Sequence, residues 1–262
     1  MNILFFGDII GAPGRQAIKK ILPSWRRKYQ PDLIVANCEN LAHGKGITHQ
    51  TIAELKSYGI DAFTSGNHIW NQKQAQDIVQ DQENNVLRPA NYPPGVPGVG
   101  YRVLEVGVKK LALVNLIGRV FFQEDFDCPF RAADEIIQKL KKQEVKLIVV
   151  DFHVEATSEA IALGWYLDGR TSLVLGTHTH VQTADERILP QGTGYLTDIG
   201  MVGARDSVIG FGCQRVIENF LTQMPAQFSV AEGDVLVNAV HCVLDDKTGR
   251  TQRIQRVSEI VT

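Results

Sequence analysis

Cysteine is scarce in this 262-residue chain: Cys38, Cys128, Cys213 and Cys242 are scattered, with no C-x-x-C pair. That spacing argues against a disulfide framework and against a thiolate zinc site. No apolar run approaches the roughly 18–20 residues a membrane helix needs. The start, MNILFFGDIIGAPG, lacks a basic segment and reads as strand and turn, so no signal peptide is expected. Neither sign of charge dominates. With 27 Lys+Arg against 29 Asp+Glu the net charge is −2, so a broad basic surface for nucleic acid is not expected. Internal repeats, low-complexity tracts and Gly/Pro-rich linkers are missing as well. What remains is 44% hydrophobic and 21% charged, enough for a sizeable core. The expectation is a cytoplasmic protein with no membrane partner, folded as one domain over 1–262.

Short apolar runs alternate with helical patterns. Runs at Asn2–Gly7, Asp32–Ala36, Ile60–Thr64, Lys146–Val150 and Ser172–Leu175 predict buried strands. Helices are predicted from Pro13 through Trp25 and near Thr51–Tyr58, Ala132–Lys142 and Ser158–Tyr166. Gly107 joins two Val/Leu-rich runs, 101–106 and 109–116, and Asp246-Lys247-Thr248-Gly249 joins Val235–Leu244 to Gln252–Val257; both read as hairpins. Strand–helix units with added antiparallel hairpins predict an α/β fold, with a mixed sheet or two stacked sheets between helices.

The informative feature is what ends each strand. Asp8 follows the first run, Asn37-Cys38-Glu39-Asn40 the second, and Gly66-Asn67-His68 the third; later come Asp151-Phe152-His153 and Gly176-Thr177-His178-Thr179-His180. Ligands of open α/β sheets bind beyond the carboxyl ends of the strands. Parallel neighbours would therefore bring Asp8, Glu39, Asn40, Asn67, His68, His153, His178 and His180 to one edge. Taken singly each has a plainer reading: Asp8 as a helix N-cap, Glu39 and Asn40 as loop residues, Asn67 as a turn residue, His68 or His153 as a core histidine. The set carries the weight, because four of only seven histidines directly follow buried runs. His43, His49 and His241 do not share that placement, and Cys38 reads as packing. In an extended segment His178 and His180 would be cofacial.

Oxygen and imidazole donors without thiolate suit Fe, Mn, Co or Zn. Two dications about 3.5–4 Å apart repel, and a carboxylate such as Glu39 can bridge them. Asp8, Glu39 and a hydroxide would leave the pair net positive, which attracts phosphate. His43–Gly46 could touch phosphate but reads more readily as a solvated glycine loop, and the glycine-rich 197–210 segment could wall the pocket, with Arg205 a substrate contact, or equally be a surface loop.

The ordered motifs G-D-x-x-G (7–11), N-x-E-N (37–40), G-N-H (66–68), D-F-H (151–153) and G-T-H-T-H (176–180) resemble those of the calcineurin-like metallophosphoesterases, and most closely the YmdB-like family. The resemblance spans nearly the whole chain. It departs from the superfamily twice: the usual D-x-H is Asp8-Ile9-Ile10, and the usual bridging Asp is Glu39. The YmdB-like branch shows the same substitution, with Asn40 similar to a replacement ligand.

The resemblance implies a mixed-sheet α/β/β/α sandwich and a dinuclear site of divalent or mixed-valence ions, iron first, then manganese, zinc or cobalt. Asp8, Asn40 and His180 would hold one ion and Asn67, His153 and His178 the other, with Glu39 between them. His68 would be the catalytic histidine. The implied activity is hydrolysis of small cyclic nucleotides, the 2′,3′-cyclic ones first, by a metal-bridging hydroxide attacking phosphorus. Substrate-binding residues are not implied. A metal-dependent nucleotide-binding regulator with incidental hydrolysis is the alternative. An amidohydrolase is disfavoured because its H-x-H lies on the first strand. A Rossmann or P-loop protein is disfavoured because Gly7, Gly11 and Gly14 match neither fingerprint. The chain's size is compatible with a homo-oligomer, a dimer or tetramer.

Overall fold

The first strand, β1 (Asn2–Ile9), is buried on both faces: Ile3 and Phe5 belong to one core, Leu4 and Phe6 to another. Such a strand needs a layer on each side, and a computed structural model, which describes residues 1–262, supplies both. After β1 come α1 (Gly11–Tyr29), β2 (Leu33–Asn37), α2 (His49–Tyr58), β3 (Ala62–Thr64) and α3 (Ala75–Gln80). The hairpin β4 (Tyr101–Val106) and β5 (Lys109–Ile117) leads to α4 (Pro129–Lys142), β6 (Leu147–His153), α5 (Thr157–Leu167) and β7 (Leu173–Thr177). The chain closes with β8 (Arg187–Ile188), β9 (Gly194–Leu196), β10 (Met201–Ala204), α6 (Cys213–Thr222), β11 (Val235–Leu244) and β12 (Thr251–Val261).

Two six-stranded mixed sheets result, ordered β12-β11-β10-β1-β2-β3 and β4-β5-β6-β7-β9-β8. Strands β10, β1, β2 and β3 run parallel, as do β5, β6, β7 and β9. Between the sheets Ile3 and Phe5 pack with Leu113, Val149 and Leu175. Outside the first sheet α1 lays Trp25 flat on Phe6, ring centroids 5.5 Å apart. Outside the second, Ile137 of α4 and Leu163 of α5 join Val150 and Phe152. The expected α/β/β/α layering is thus observed.

The 197–210 segment is not simply a surface loop. It contains β10, a buried strand that places Met201 opposite Asp8. Four residues rich in small side chains show no readable period, and pairing with β1 and β11 makes the strand. Close approach is built in here: the carbonyl of Gly200 occupies the space where a Cβ on Gly7 would sit. The N-cap reading of Asp8 also fails. The α1 N-cap is Ile10, with no side-chain bond, and Asp8 lies inside β1.

Candidate metal centre

The carboxyl ends of β1, β2, β3, β6 and β7 meet at one edge shared by both sheets. His153 Nε2, at the end of β6, is 3.1 Å from Glu39 Oε1, 3.2 Å from Asn67 Oδ1 and 3.0 Å from His178 Nδ1. His180 Nε2 lies 3.8 Å from Asp8 Oδ1. The Asp8 Oδ2 accepts the His178 backbone N–H at 3.2 Å, linking the two halves. Glu39 Oε2 accepts the His68 N–H at 3.0 Å. Gly66 is required by the crowding, since a Cβ there would overlap the His153 ring and the Glu39 carboxylate.

His153, His180 and His68 each have one ring nitrogen committed to a protein oxygen. Thr177 Oγ1 gives its only hydrogen to Asp151 (2.8 Å), so it can only accept from His153 Nδ1 at 2.9 Å. His153 Nε2 is thereby turned to the cluster as a donor to a cation. His178 Nε2 lies 2.9 Å from a Glu155 carboxylate oxygen, while its Nδ1 faces His153 Nε2 at 3.0 Å. The Ile209 carbonyl takes His180 Nδ1 at 2.9 Å, freeing Nε2. Asn71 Oδ1, 3.1 Å from His68 Nδ1, does the same for His68. Asn40 donates one amide hydrogen to the Gly44 carbonyl at 2.8 Å, which turns its Oδ1 away from that loop.

The oxygens match this pattern. Asp8 Oδ1, Glu39 Oε1 and Asn40 Oδ1 are buried with no hydrogen-bond partner, a costly arrangement unless something else satisfies them. Glu39 Oε1 is close to His153 Nε2 but misaligned for a hydrogen bond. Ligand atoms of Glu39, His153 and His178 all lie within 4.8 Å of one another. Lone pairs so gathered repel unless a positive charge sits among them. The residues therefore fit metal ions on the chemistry of their donors.

Without metal, a proton takes that part. Burial alone would lower the His153 pKa, but the Glu39 carboxylate, with Asp8 and Asp151 beyond it, raises it to about 9. Burial works against ionisation of Glu39, yet the His153 charge outweighs it and brings the carboxylate to about 2. His178 is lowered to about 3 by burial and by the His153 charge. Burial pushes Asp8 upward, Asp151 to about 6 and Asp198 to about 7.

These shifts set a pH dependence. Asp151 and Asp198, raised above the unfolded value, progressively destabilise the metal-free fold from about pH 4 up to pH 6–7. The His153 contribution is present below about pH 6.5 and is lost as pH rises through about 9. A divalent ion needs His153 unprotonated and the carboxylates charged. The rise in Tm on adding Mn²⁺ is therefore expected to be larger at pH 8 than at pH 5.5, by several degrees in a thermal melt. An equal rise at both values would contradict this electrostatic account.

All eight residues named from the sequence are brought together, while His43, His49 and His241 lie elsewhere: an exposed loop, the first turn of α2, and β11 against Tyr29. The cofacial reading of His178 and His180 is corrected. Both follow β7 with positive φ, 110° and 65°, so they diverge toward His153 and Asp8 respectively. Arg205 pairs with Asp206 at 2.9 Å and lines neither cavity beside the cluster. Residues not singled out beforehand hold the donors in place. Asp198 accepts the Thr179 N–H at 2.9 Å and hydroxyl at 2.8 Å, and the Gly200 N–H at 2.7 Å, pinning the H-T-H turn. Asn37 gives a hydrogen bond to Asp151 at 3.2 Å. Phe122 packs over His178, ring centroids 5.0 Å apart.

Residues 4–257 match the family model described as YmdB-like protein. The chain belongs to the YmdB-like family. A Bacillus subtilis (strain 168) relative, named a 2′,3′-cyclic-nucleotide 2′-phosphodiesterase, is 47% identical over 98% of this chain and 96% of its own. A Mycoplasma pneumoniae crystal structure titled a novel phosphatase superposes with a TM-score of 0.93 at 34% identity, covering 99% of this chain and 93% of that one. A Thermus thermophilus 5′-nucleotidase precursor shares the fold alone: TM-score 0.59, 14% identity, 98% of this chain and 54% of that one. The YmdB-like chain thus has the metallophosphoesterase type of fold.

Proposed function

We propose that this YmdB-like protein is a dinuclear metal-dependent phosphodiesterase of small cyclic nucleotides, 2′,3′-cyclic ones first. The observation that carries the reading is the convergence of three orphaned buried oxygens with the imidazoles of His153 and His180, whose other ring nitrogens are already committed. The name of the B. subtilis relative supports the substrate class.

Asp8, Asn40 and His180 would hold one ion and Asn67, His153 and His178 the other, with Glu39 shared between them. Iron is the first candidate, with manganese, zinc or cobalt suited to the same donors. When bound, the ions supply Lewis-acid charge for the phosphoryl oxygens and a nucleophilic water at neutral pH. His68 keeps its Nδ1 on Asn71 and offers Nε2 to the departing oxygen. Burial lowers its pKa, so once protonated it yields the proton readily to an alkoxide. Thr177, itself bonded to Asp151, and the Ile209 carbonyl hold the His153 and His180 rings, and Phe122 packs against His178. We further read 1–262 as one domain acting in the cytoplasm; both sheets furnish site residues, and no helix is long and apolar enough to cross a membrane.

The test is hydrolysis of 2′,3′-cyclic AMP and bis-p-nitrophenyl phosphate by protein loaded with Fe²⁺ or Mn²⁺. Turnover of both, abolished by chelator and restored by metal, is expected. Protein carrying two equivalents of metal yet inert on every diester would overturn the reading.

A further inference from the structure

Two cavities adjoin the metal-site residues, one on each side of His68 and His178. The first is about 290 Å³, at the lower end of the range for small-molecule sites, and has Glu39, Asn40, His178 and His180 at one end. Its far walls are mostly apolar: Val208, Ile209 and Phe211 from the turn after β10, Val216 and Phe220 from α6 beside Asn219, and Phe228. We propose that this cavity receives the nucleobase of the substrate, making Phe211 and Phe228 specificity-determining residues. The proposal rests on the phosphodiesterase reading above and adds where the base goes.

Three observations support it. The cavity is continuous with the donor cluster, so a substrate whose phosphate sits there can extend its base into the apolar part. Phe211 and Phe228 are 6.3 Å apart with planes inclined by 52°, a corner that offers aromatic surface to a flat base. The wall is also preset. Ile209 is β-branched yet has φ 47°, a strained conformation. It is held by its carbonyl's bond to His180 and by the Gly210 N–H donating to Ser207 Oγ at 2.9 Å. A wall ordered in advance favours binding.

The other cavity, with Trp70, Tyr92 and Phe122, is also aromatic, but it carries Glu124 and reaches only Asn67 and His178 of the seven proposed ligands. An acidic side chain there repels an anionic substrate. Lys45 is the only Lys or Arg lining either cavity, and it lies on the proposed one.

The experiment compares 2′,3′-cyclic AMP with the base-free diester glycerol 1,2-cyclic phosphate, using metal-loaded parent, Phe211→Ala, Phe228→Ala and Trp70→Ala proteins. Phe211→Ala and Phe228→Ala are each expected to lower the nucleotide-to-glycerol ratio of kcat/KM about tenfold, through KM. Trp70→Ala should leave it within about twofold. Adenosine binding, followed by saturation-transfer NMR, should weaken in the two Phe variants. Phe228→Ala guards against a folding defect, because Phe228 is partly exposed and outside regular structure. Loss of the ratio in Trp70→Ala alone would move the base to the other cavity and overturn the proposal. So would adenosine binding undiminished in both Phe variants. A parent inert on both diesters that still binds adenosine in a Phe211-dependent way would instead overturn the phosphodiesterase reading and leave the base subsite supported.

Discussion

Glu39→Gln is expected to lower kcat/KM on a cyclic nucleotide by roughly 10²–10⁴-fold and to strip metal from the protein. The substitution keeps the shape of the side chain and removes its charge. Glu39 is 1% exposed, its Oε1 has no hydrogen-bond partner, and it lies between the two proposed ion positions. Loss of the charge weakens the hold on the ions that the reaction depends on, and each 1.4 kcal/mol of lost transition-state stabilisation is a factor of ten in rate. A second consequence is visible without metal. His153 owes its raised pKa chiefly to Glu39, so its NMR titration should fall well below 9 in Glu39→Gln. Metal content by plasma emission, kcat/KM and the His153 titration form one test. A variant that holds two ions and stays within tenfold of the parent would remove Glu39 from the centre of the site.

His68→Ala is expected to separate rate from metal binding: activity down about 10²–10⁴-fold, the usual range for a lost general acid, with both ions retained. The geometry makes this distinct from loss of a ligand. His68 donates its backbone N–H to Glu39, a bond alanine also makes, while its ring is tied to Asn71 and lines both cavities. A substrate with a better leaving group needs less help from an acid, so bis-p-nitrophenyl phosphate should lose much less than a cyclic nucleotide. Equal losses on both, or metal lost with the ring, would assign His68 to the donors instead.

The polar residues of the site were legible because each follows a run of buried β-formers. Asp8 after NILFFG, His153 after KLIVVDF and the H-T-H after SLVLGT stand out against their apolar neighbours. What supports them was not. Asp198 and Thr177 look like ordinary loop and strand residues; their meaning comes from bonds to Thr179 and His153. Asp151 stands inside a motif, yet nothing local shows that its hydrogen-bonded threonine selects a histidine tautomer. The short β10 was hidden for a related reason: Met201–Ala204 has too few residues to show alternation and is a strand only because β1 and β11 flank it.

The layering was implied by the family resemblance; by itself the sequence determined the strand–helix units, the strand ends that carry polar groups, and which oxygen and imidazole side chains stand there. These depend on local periodicity and on residue type, which are written along the chain. Tertiary structure alone decided that His178 and His180 diverge through left-handed backbone, that three buried oxygens are left unpaired, and that an apolar cavity opens beside them. Those features arise from contacts across 100 residues or more, such as the His178 N–H on Asp8, where close packing of separate segments, and no local rule, sets which lone pairs face each other.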